Sequence, residues 1–220
     1  QDAFNKIPGS PISYWVSENM INLFQEQKSI SDFYDLKVGI QTGDNPLFYK
    51  KHWEINPTCD YWVKCNKNGE YRRWYGNLDT VIFWKNNGEK IKKHKSSRPQ
   101  NSDYYFREGV AWSNISSSAN ISARFENKGM IFDQTVPTIF PIDDATLIEI
   151  IAYMNSKIAI TVAIAISPTM HFNTGEVAKY PYIPYKDGTV NKFVKENIKI
   201  SKDDWDSLET SWDFKQHPLL

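Results

Sequence analysis

The chain has 220 residues, and its 26 basic side chains (Lys, Arg) equal its 26 acidic ones (Asp, Glu), which excludes an overall polycationic or polyanionic protein. Hydrophobic residues make up 40% of the chain and aromatic residues 15%, a composition that favours a folded core over disorder. Two cysteines, Cys59 and Cys65, do not imply a disulfide framework, so we expect a cytoplasmic location. The longest apolar run, residues 158–166, is far shorter than the ~20 residues of a membrane-spanning helix, so we expect no membrane partner.

The first 32 residues are predicted to form an N-terminal segment with one helix. Residues 7–11 read IPGSP, and their two prolines exclude a helix interior and indicate a turn. From residue 13 to about residue 27, apolar side chains recur at helical spacing and predict an amphipathic helix. The chain begins with Gln instead of Met and has no signal-peptide pattern, so we expect it to be a piece of a longer protein.

Short β-strands are predicted for most of residues 33–140. The predicted strands are residues 33–40, 48–54, 60–65, 81–85, 104–112, 123–125, 130–132 and 138–140. Asn68 followed by Gly69 is a strong signal for a hairpin turn after the third of these strands. A short basic helix is expected at residues 89–95, followed by a proline-containing loop at residues 96–102.

The sequence becomes helical in character after residue 140. Asp143 and Asp144 are expected to cap a helix from residue 146 to about residue 156, and residues 158–166 continue as a buried helix. A short helix at residues 190–199 precedes an acidic connector at residues 201–220. We therefore predict an α+β fold with residues 33–200 as the main domain. It is a twisted, mostly antiparallel sheet flanked by N-terminal and C-terminal helices.

A cationic segment, residues 61–100, lies in this otherwise neutral chain. Its ten Lys and Arg residues and three acidic residues give a local balance of 10 − 3 = +7. The cations are Lys64, Lys67, Arg72, Arg73, Lys85, Lys90, Lys92, Lys93, Lys95 and Arg98. Such a patch attracts a polyanion by releasing its counterions, and interleaved aromatic rings such as Trp62 and Trp74 can stack on bases. The segment therefore predicts nucleic-acid binding. The alternative is that the charged side chains only face the solvent and the aromatic rings only form part of the core.

Candidate DNA contacts fall into three groups. Lysines contact phosphates, which position a protein without reading sequence. The lysines expected in this role are Lys67, Lys90, Lys92, Lys93 and Lys95. Arginines and amides can pair with base edges through two hydrogen bonds, and the candidates are Arg72, Arg73, Arg98, Gln100 and Asn101. For Arg72 and Arg73, a contact with phosphate is also compatible with the sequence, and so is a position on a solvated hairpin without any DNA contact.

The third group lies in a glycine-rich loop, residues 39–45, that follows the first predicted strand. Thr42 and Asn45 in this loop are candidates for backbone or phosphate contact. Glycines allow a tight loop that brings backbone N–H groups close to a ligand. An ordinary exit from a strand is the alternative interpretation of this loop.

Seven sequence blocks follow one another along the chain. They are SPISYWVSE (10–18), GIQTGDN (39–45), GEYRRWYGN (69–77), RPQNSDYYFREGVAWS (98–113), YMNSKIA (153–159), SPTMHFNTGEVAKYPYIP (167–184) and WDSLETSWDF (205–214). Together they closely resemble the C-terminal part of the PglX family, the adenine-specific DNA methyltransferases of bacterial BREX phage-defence systems. The G-I-x-T-G-[DN]-N loop and the [LM]-N-S helix are also similar to target-recognition domains of type IIG and type I restriction–modification enzymes. The resemblance implies a domain that reads double-stranded DNA, while a methyltransferase domain of the same parent chain methylates an adenine.

The sequence departs from the catalytic half of that family. An amino-methyltransferase needs a glycine-rich loop for S-adenosylmethionine and an Asn/Asp-Pro-Pro-Tyr/Phe motif, and no Pro-Pro dipeptide occurs in the 220 residues. We therefore expect a non-catalytic chain without a cofactor, with S-adenosylmethionine bound elsewhere in the parent enzyme. The cysteine spacing is unlike that of structural zinc sites, so no metal is expected. The alternatives are an interaction module for other defence-complex subunits or a phage inhibitor, and a restriction-type specificity domain without a BREX context.

Overall fold

The computed structural model describes residues 16–56, 58–116, 120–166, 169–185 and 188–220, and it has eight β-strands in these ranges. They are β1 (Tyr34–Lys37), β2 (Tyr49–Lys51), β3 (Trp62–Asn66), β4 (Thr80–Phe83), β5 (Gly109–Trp112), β6 (Ala123–Glu126), β7 (Ile131–Phe132) and β8 (Thr138–Pro141). Sheet A has the order β1-β8-β5-β6 and sheet B the order β2-β4-β3-β7. Neighbouring strands are antiparallel, except that β3 and β7 are parallel. The predicted α+β fold with mostly antiparallel strands is confirmed, with the strands divided between two sheets.

The same ranges contain seven α-helices. They are α1 (Glu18–Glu26), α2 (Asn45–Phe48), α3 (Lys85–Lys92), α4 (Leu147–Met154), α5 (Lys157–Ile166), α6 (Thr174–Val177) and α7 (Gly188–Asp206). Short 3-10 helices lie at Ile30–Asp32, His52–Glu54 and Ser102–Tyr104. Helix α4 is capped by Thr146, whose Oγ1 accepts a hydrogen bond from Glu149 N at 3.2 Å. The prediction that Asp143 and Asp144 cap this helix is therefore wrong.

Helices α4 and α5 meet at a bend of 65°. Among the described residues, no single helix is long and apolar enough to cross a bilayer, and only this bent pair reaches that length and composition when both helices are taken together. The side chains of α4 that are buried are Leu147, Ile150, Ile151 and Met154. They form part of the core that covers sheet A.

Two buried polar contacts fix the helices to sheet A. Asn155, directly after α4, accepts a hydrogen bond from Ala123 N at 3.0 Å and donates one to Ala123 O at 2.9 Å. The indole N–H of the fully buried Trp112 in β5 donates to Phe172 O at 2.9 Å. Because these bonds are shielded from water, the first pair strongly favours one position of α4 on the sheet, and the Trp112 bond holds the segment before α6 against β5. The asparagine of the [LM]-N-S helix therefore has a structural role.

Sheet B has a separate core, which contains Phe48, Ile82, Ile91 and Phe132. The ring of Phe132 in β7 lies 5.5 Å from the ring of Phe140 in β8, centroid to centroid. Since β7 belongs to sheet B and β8 to sheet A, this aromatic contact joins the two sheets.

Helix α7 packs against two separate groups of buried side chains. Val194 near its start is buried in the core of sheet A, whereas Trp205 near its end packs with Tyr75, Leu78 and Met130. The helix continues to Asp206, well beyond the predicted end at residue 199. The predicted acidic connector therefore packs on the fold instead of leaving it. The predicted domain division at residues 32 and 200 stays a prediction.

The predicted hairpin at Asn68 and Gly69 does not form. Strand β3 pairs with β4, which begins at Thr80, so residues 67–79 separate the two strands. Within this segment, Trp74 N donates to Ala123 O at 2.8 Å, and Phe125 N donates to Trp74 O at 2.8 Å. These bonds attach the segment to the edge of sheet A. The predicted turn at residues 7–11 and the predicted helical residues 13–15 lie outside the described residues.

Candidate nucleic-acid interface

Three connections of sheet B converge at one end of the sheet. Strand β2 begins where β4 ends, since Tyr49 pairs with Ile82, and β3 begins there too, since Trp62 pairs with Phe83. The segments before β2, before β3 and after β4 therefore lie at the same end. We call this end the tip of sheet B and define it as residues 41–45, 61–62 and 83–101.

Backbone hydrogen bonds bring two of the predicted contact loops together at the tip. Gln41 N donates to Arg98 O at 3.0 Å, and Arg98 N donates to Gln41 O at 2.8 Å. This pair places residues 39–45 beside residues 96–102. The two groups of candidate contacts that these loops carry therefore share one surface.

The glycine-rich loop has a structural reason for its composition. A Cβ atom on Gly39 would lie 2.0 Å from Phe132 O, so only glycine fits this close to β7. Ile40 N already donates to Phe132 O at 2.9 Å, and Gln41 N donates to Arg98 O. These two backbone N–H groups are therefore not available to a ligand in this conformation.

The tip carries a dense group of exposed cations. Residues 85–101 contain six cations and one acidic residue, Glu89, a balance of 6 − 1 = +5. The cations are Lys85, Lys90, Lys92, Lys93, Lys95 and Arg98, and all six are exposed. Lys93 pairs with Glu89, and the other five have no ion-pair partner in the part of the chain that the structure describes. Their charge remains available to an anionic partner.

Half-buried aromatic rings support the lysines at the tip. The ring of Phe83 lies 5.4 Å from that of Tyr61 and 5.5 Å from that of Trp62, centroid to centroid. Lys85 Nζ lies 5.8 Å from the Tyr61 centroid, and Lys90 Nζ lies 5.8 Å from the Phe83 centroid. Such contacts hold a lysine side chain against a ring and leave its positive charge in place.

Two other cations of the segment lie away from the tip, Lys64 in the middle of β3 and Lys67 just after its opposite end. Lys67 Nζ lies 3.0 Å from Asp133 Oδ2 and 4.2 Å from the centroid of the Tyr49 ring. Asp133 is 2% exposed, so Lys67 balances a buried carboxylate. Lys64 Nζ lies 3.9 Å from an Asp213 carboxylate oxygen. These lysines have internal partners and are poorer candidates for a DNA contact than those at the tip.

The two arginines of the 67–79 segment also have internal partners. Arg72 pairs with Asp204 of α7, and its guanidinium lies 5.1 Å from the centroid of the Trp205 ring. Arg73 Nε donates to Tyr71 Oη at 2.8 Å. The predicted cationic segment is therefore divided, because its second half forms the tip while much of its first half holds the fold together.

The predicted polar contacts differ in their availability. Thr42 is 1% exposed, and its hydroxyl donates to Asn45 Oδ1 at 2.9 Å. Asn101 Nδ2 donates to Val38 O at 2.9 Å, which leaves less of this amide free to read a base. The side chain of Gln100 is exposed. Of the predicted base-reading amides, Gln100 is therefore the better presented.

The structure adds two side chains to the tip that the sequence analysis did not select. Asn86 and Asn87 are exposed and lie at the start of α3, where residues 86–88 have non-helical backbone angles. The one signal for them in the sequence is the Asn-Asn-Gly pattern at residues 86–88, which favours a turn and does not by itself indicate a binding site.

A buried polar network between the sheets was not predicted either. Arg124 and Glu126 in β6 are 1% and 0% exposed, and Asn66 Nδ2 in β3 donates to Glu126 Oε2 at 2.8 Å. Arg124 Nη1 donates to Ser113 Oγ at 3.3 Å, whereas its Nε and Nη2 have no partner among the described residues. Burial raises the pKa of Glu126 to about 7 and lowers that of Arg124 to about 10. These groups lie inside the fold and are not part of the tip.

Comparison with solved structures identifies a shared fold. The type IIG restriction endonuclease BpuSI matches 80% of this chain and 26% of its own chain, with a TM-score of 0.52 and 13% identity. The S subunit of a type I restriction–modification system from M. genitalium aligns over 87% of this chain and 46% of its own, with 10% identity. Its TM-score of 0.40 is too low to indicate a common fold.

Sequence comparison gives a closer relationship. No protein-family model matches this chain. The adenine-specific methyltransferase PglX of Lacticaseibacillus casei (strain Zhang) is 34% identical to it, over 100% of this chain and 20% of that protein. The adenine-specific methyltransferase BrxX of Escherichia coli O9:H4 (strain HS) is also 34% identical, over 100% of this chain and 19% of that protein. The predicted resemblance is confirmed: the whole chain is related to one region, about a fifth in length, of the PglX and BrxX adenine-specific methyltransferases.

Proposed function

We propose that this chain is the DNA-recognition region of a bacterial adenine-specific DNA methyltransferase that acts in phage defence. In this proposal the tip of sheet B binds duplex DNA, and a catalytic domain elsewhere in the parent chain methylates an adenine. The observation that carries the proposal is the balance of +5 at residues 85–101, with five exposed cations that have no ion-pair partner among the described residues. The relationship to PglX and BrxX supports the proposal.

The charge at the tip predicts how the affinity for DNA depends on salt. Each phosphate that a cation neutralises releases counterions, and the slope of log affinity against log salt is about −0.9 for each phosphate. Five contacts give a slope of about −4.5. Raising the salt concentration from 50 to 200 mM should then weaken binding roughly 500-fold.

The chemistry of methyl transfer is assigned to the rest of the parent protein. S-adenosylmethionine would supply the methyl group there, because this chain has no Pro-Pro dipeptide, which the amino-methyltransferase motif requires. We therefore expect the chain alone to bind DNA without methylating it. The proposed location is the bacterial cytoplasm, where the chromosome is the available duplex.

A pair of charge-matched double variants tests the proposal. Lys92→Glu/Lys95→Glu reverses two cations at the tip, and Lys192→Glu/Lys195→Glu reverses two exposed cations on α7. Fluorescence anisotropy with a labelled duplex, measured from 50 to 200 mM salt, gives the affinity and the salt slope. We expect the tip variant to bind at least tenfold more weakly and to lose about 1.8 from the slope, while the α7 variant stays close to the wild type.

Two results would overturn the proposal. One is binding by the wild type that does not change over this salt range, which would exclude phosphate contacts as its basis. The other is an equal loss of affinity in both variants, which would assign the effect to net charge and not to the tip.

A further inference from the structure

The turn at residues 86–88, which lies at the start of α3, has an unusual backbone. Asn86, Asn87 and Gly88 are three consecutive residues in the left-handed region, with φ values of 53°, 57° and 72°. Residues other than glycine rarely adopt this backbone conformation, although asparagine tolerates it better than most. Strained residues of this kind are often found at binding sites, where the surrounding structure holds them in place.

The turn is anchored to the core of sheet B. Gly88 N donates to Trp84 O at 3.2 Å, and a Cβ atom on Gly88 would lie 2.5 Å from the Trp84 ring. Trp84 itself is 8% exposed, and its ring lies 5.7 Å from that of Tyr105, centroid to centroid. The two asparagines that precede Gly88 are therefore carried by a fixed support, which a residue that reads a base requires.

The two asparagine amides differ in their partners. The side chain of Asn86 lies close enough to Glu89 to help lower the pKa of that carboxylate, an effect that comes mainly from Lys93. The side chain of Asn87 is exposed and has no hydrogen-bond partner among the described residues. Asn87 thus presents a complete amide, with one acceptor and two donor hydrogens, to the solvent.

Lysines flank the turn on both sides. Lys85 directly precedes it, and Lys90 and Lys92 follow it on α3, all exposed. Phosphate contacts by flanking cations set the register of a protein on a duplex, and side chains between them can then reach the base edges. An asparagine amide matches the major-groove edge of adenine, because it can accept a hydrogen bond from N6 and donate one to N7.

We propose that Asn87 is a specificity-determining residue that reads an adenine in the major groove of the bound duplex. The inference rests on the proposed DNA-binding function and adds to it the residue and the base. It also assigns different roles within the tip, with lysines that hold the phosphates and a rigid asparagine turn that reads sequence.

A selection experiment with the full chain tests this inference. The wild type and its variants are each incubated with duplexes that carry a randomised central segment, and the bound duplexes are sequenced. Asn87→Gly removes the amide while glycine keeps the left-handed backbone. We expect this variant to lose the preference for adenine at one position, and to bind the duplex selected by the wild type roughly ten- to a hundredfold more weakly. Its salt slope should not change.

Two control variants separate base reading from other effects. Asn86→Gly makes the same backbone change one residue earlier, and its sequence preference should match that of the wild type. Lys92→Ala should weaken binding to all duplexes and reduce the salt slope by about one, with no change in the selected sequence. Circular dichroism of each variant checks that the fold is kept.

The outcomes distinguish this inference from the proposed function. A wild type that binds no duplex would overturn the proposed function and the inference together. A wild type that binds and selects a sequence, with an Asn87→Gly variant that selects the same sequence, would overturn only the role of Asn87.

Discussion

Replacing Glu126 with Gln is expected to stabilise this protein at pH 8 and to change its stability little at pH 5. Glu126 is fully buried in β6, where Asn66 Nδ2 donates to it at 2.8 Å. Arg124 is also buried, two residues earlier in the same strand, but no ion pair among the described residues joins it to Glu126. Burial raises the pKa of Glu126 to about 7, and the bond from Asn66 and the charge of Arg124 only partly oppose this.

The sign and size of the effect follow from the two pKa values of Glu126. The ordinary pKa is 4.5, so between pH 4.5 and about 7 the folded protein keeps a proton that the unfolded chain releases. The contribution to stability is complete below pH 4.5 and is lost as the pH rises through 7. The difference between these two pKa values corresponds to roughly 3 kcal/mol of stability, at about 1.36 kcal/mol for each pKa unit. Glutamine is neutral at every pH, so the variant avoids this loss.

Urea unfolding followed by tryptophan fluorescence at pH 5, 6, 7 and 8 measures the free energy of unfolding of both proteins. We expect the advantage of Glu126→Gln to grow from less than about 1 kcal/mol at pH 5 to roughly 3 kcal/mol at pH 8. Glu108→Gln, at an exposed carboxylate before β5, is the control, and its difference from the wild type should not vary with pH. If the difference for Glu126→Gln is equally constant, Glu126 is charged in the folded protein and the reasoning from burial is refuted.

Two further predictions concern packing. Gly88→Ala places a Cβ atom 2.5 Å from the Trp84 ring at a φ of +72°, and should lower the free energy of unfolding by about 2 kcal/mol or more. The control Gly175→Ala, in open space, should change it by less than about 1 kcal/mol, and equal effects would contradict the steric argument. Trp205→Ala removes an indole that is 7% exposed and should cost about 3–5 kcal/mol in urea unfolding. Leu208→Ala, at a side chain 42% exposed, should cost less than about 0.5 kcal/mol, and similar losses for the two would exclude a core role for Trp205.

Strands with a local boundary signal were predictable from the sequence. The predicted strand at residues 81–85 corresponds to β4, Thr80–Phe83, which ends just before Asn86, Asn87 and Gly88. Polar and glycine residues that favour positive φ end a strand through local backbone chemistry, so a short window of sequence contains the information.

The hairpin signal at Asn68 and Gly69 failed because a distant contact outweighs it. Neither residue has a positive φ, so neither adopts the left-handed conformation that a two-residue type I′ hairpin turn requires. Trp74 instead exchanges backbone hydrogen bonds with Ala123 and Phe125, about fifty positions later in the chain. A turn preference of this kind is a weak local bias, and pairing with the edge of sheet A provides hydrogen bonds that the local sequence does not specify.

The burial of Arg124 and Glu126 could not be predicted from alternation. Ala123, Arg124, Phe125 and Glu126 alternate between apolar and charged residues, which indicates a strand with one face in water. In the structure the charged face meets Asn66 of sheet B, so both faces of β6 are covered. Whether a second sheet covers a strand depends on the arrangement of the whole fold, and the pattern within four residues contains no information on it.

Contacts between distant parts of the chain also explain why the sequence predicted ten cations for DNA binding, whereas the structure leaves fewer of them without an internal partner. Strands β3 and β4 are antiparallel, so the cations after β3 and those after β4 lie at opposite ends of sheet B. At the first end, Asp133 and Asp204 pair with Lys67 and Arg72, although these acids lie far away in sequence. The tip has only two acidic residues, Glu89 on α3 and Asp44, which caps α2. A salt slope near −9 would require all ten cations to contact phosphates, whereas a slope near −4.5 requires only five, so the salt dependence of DNA binding decides between the whole segment and the tip.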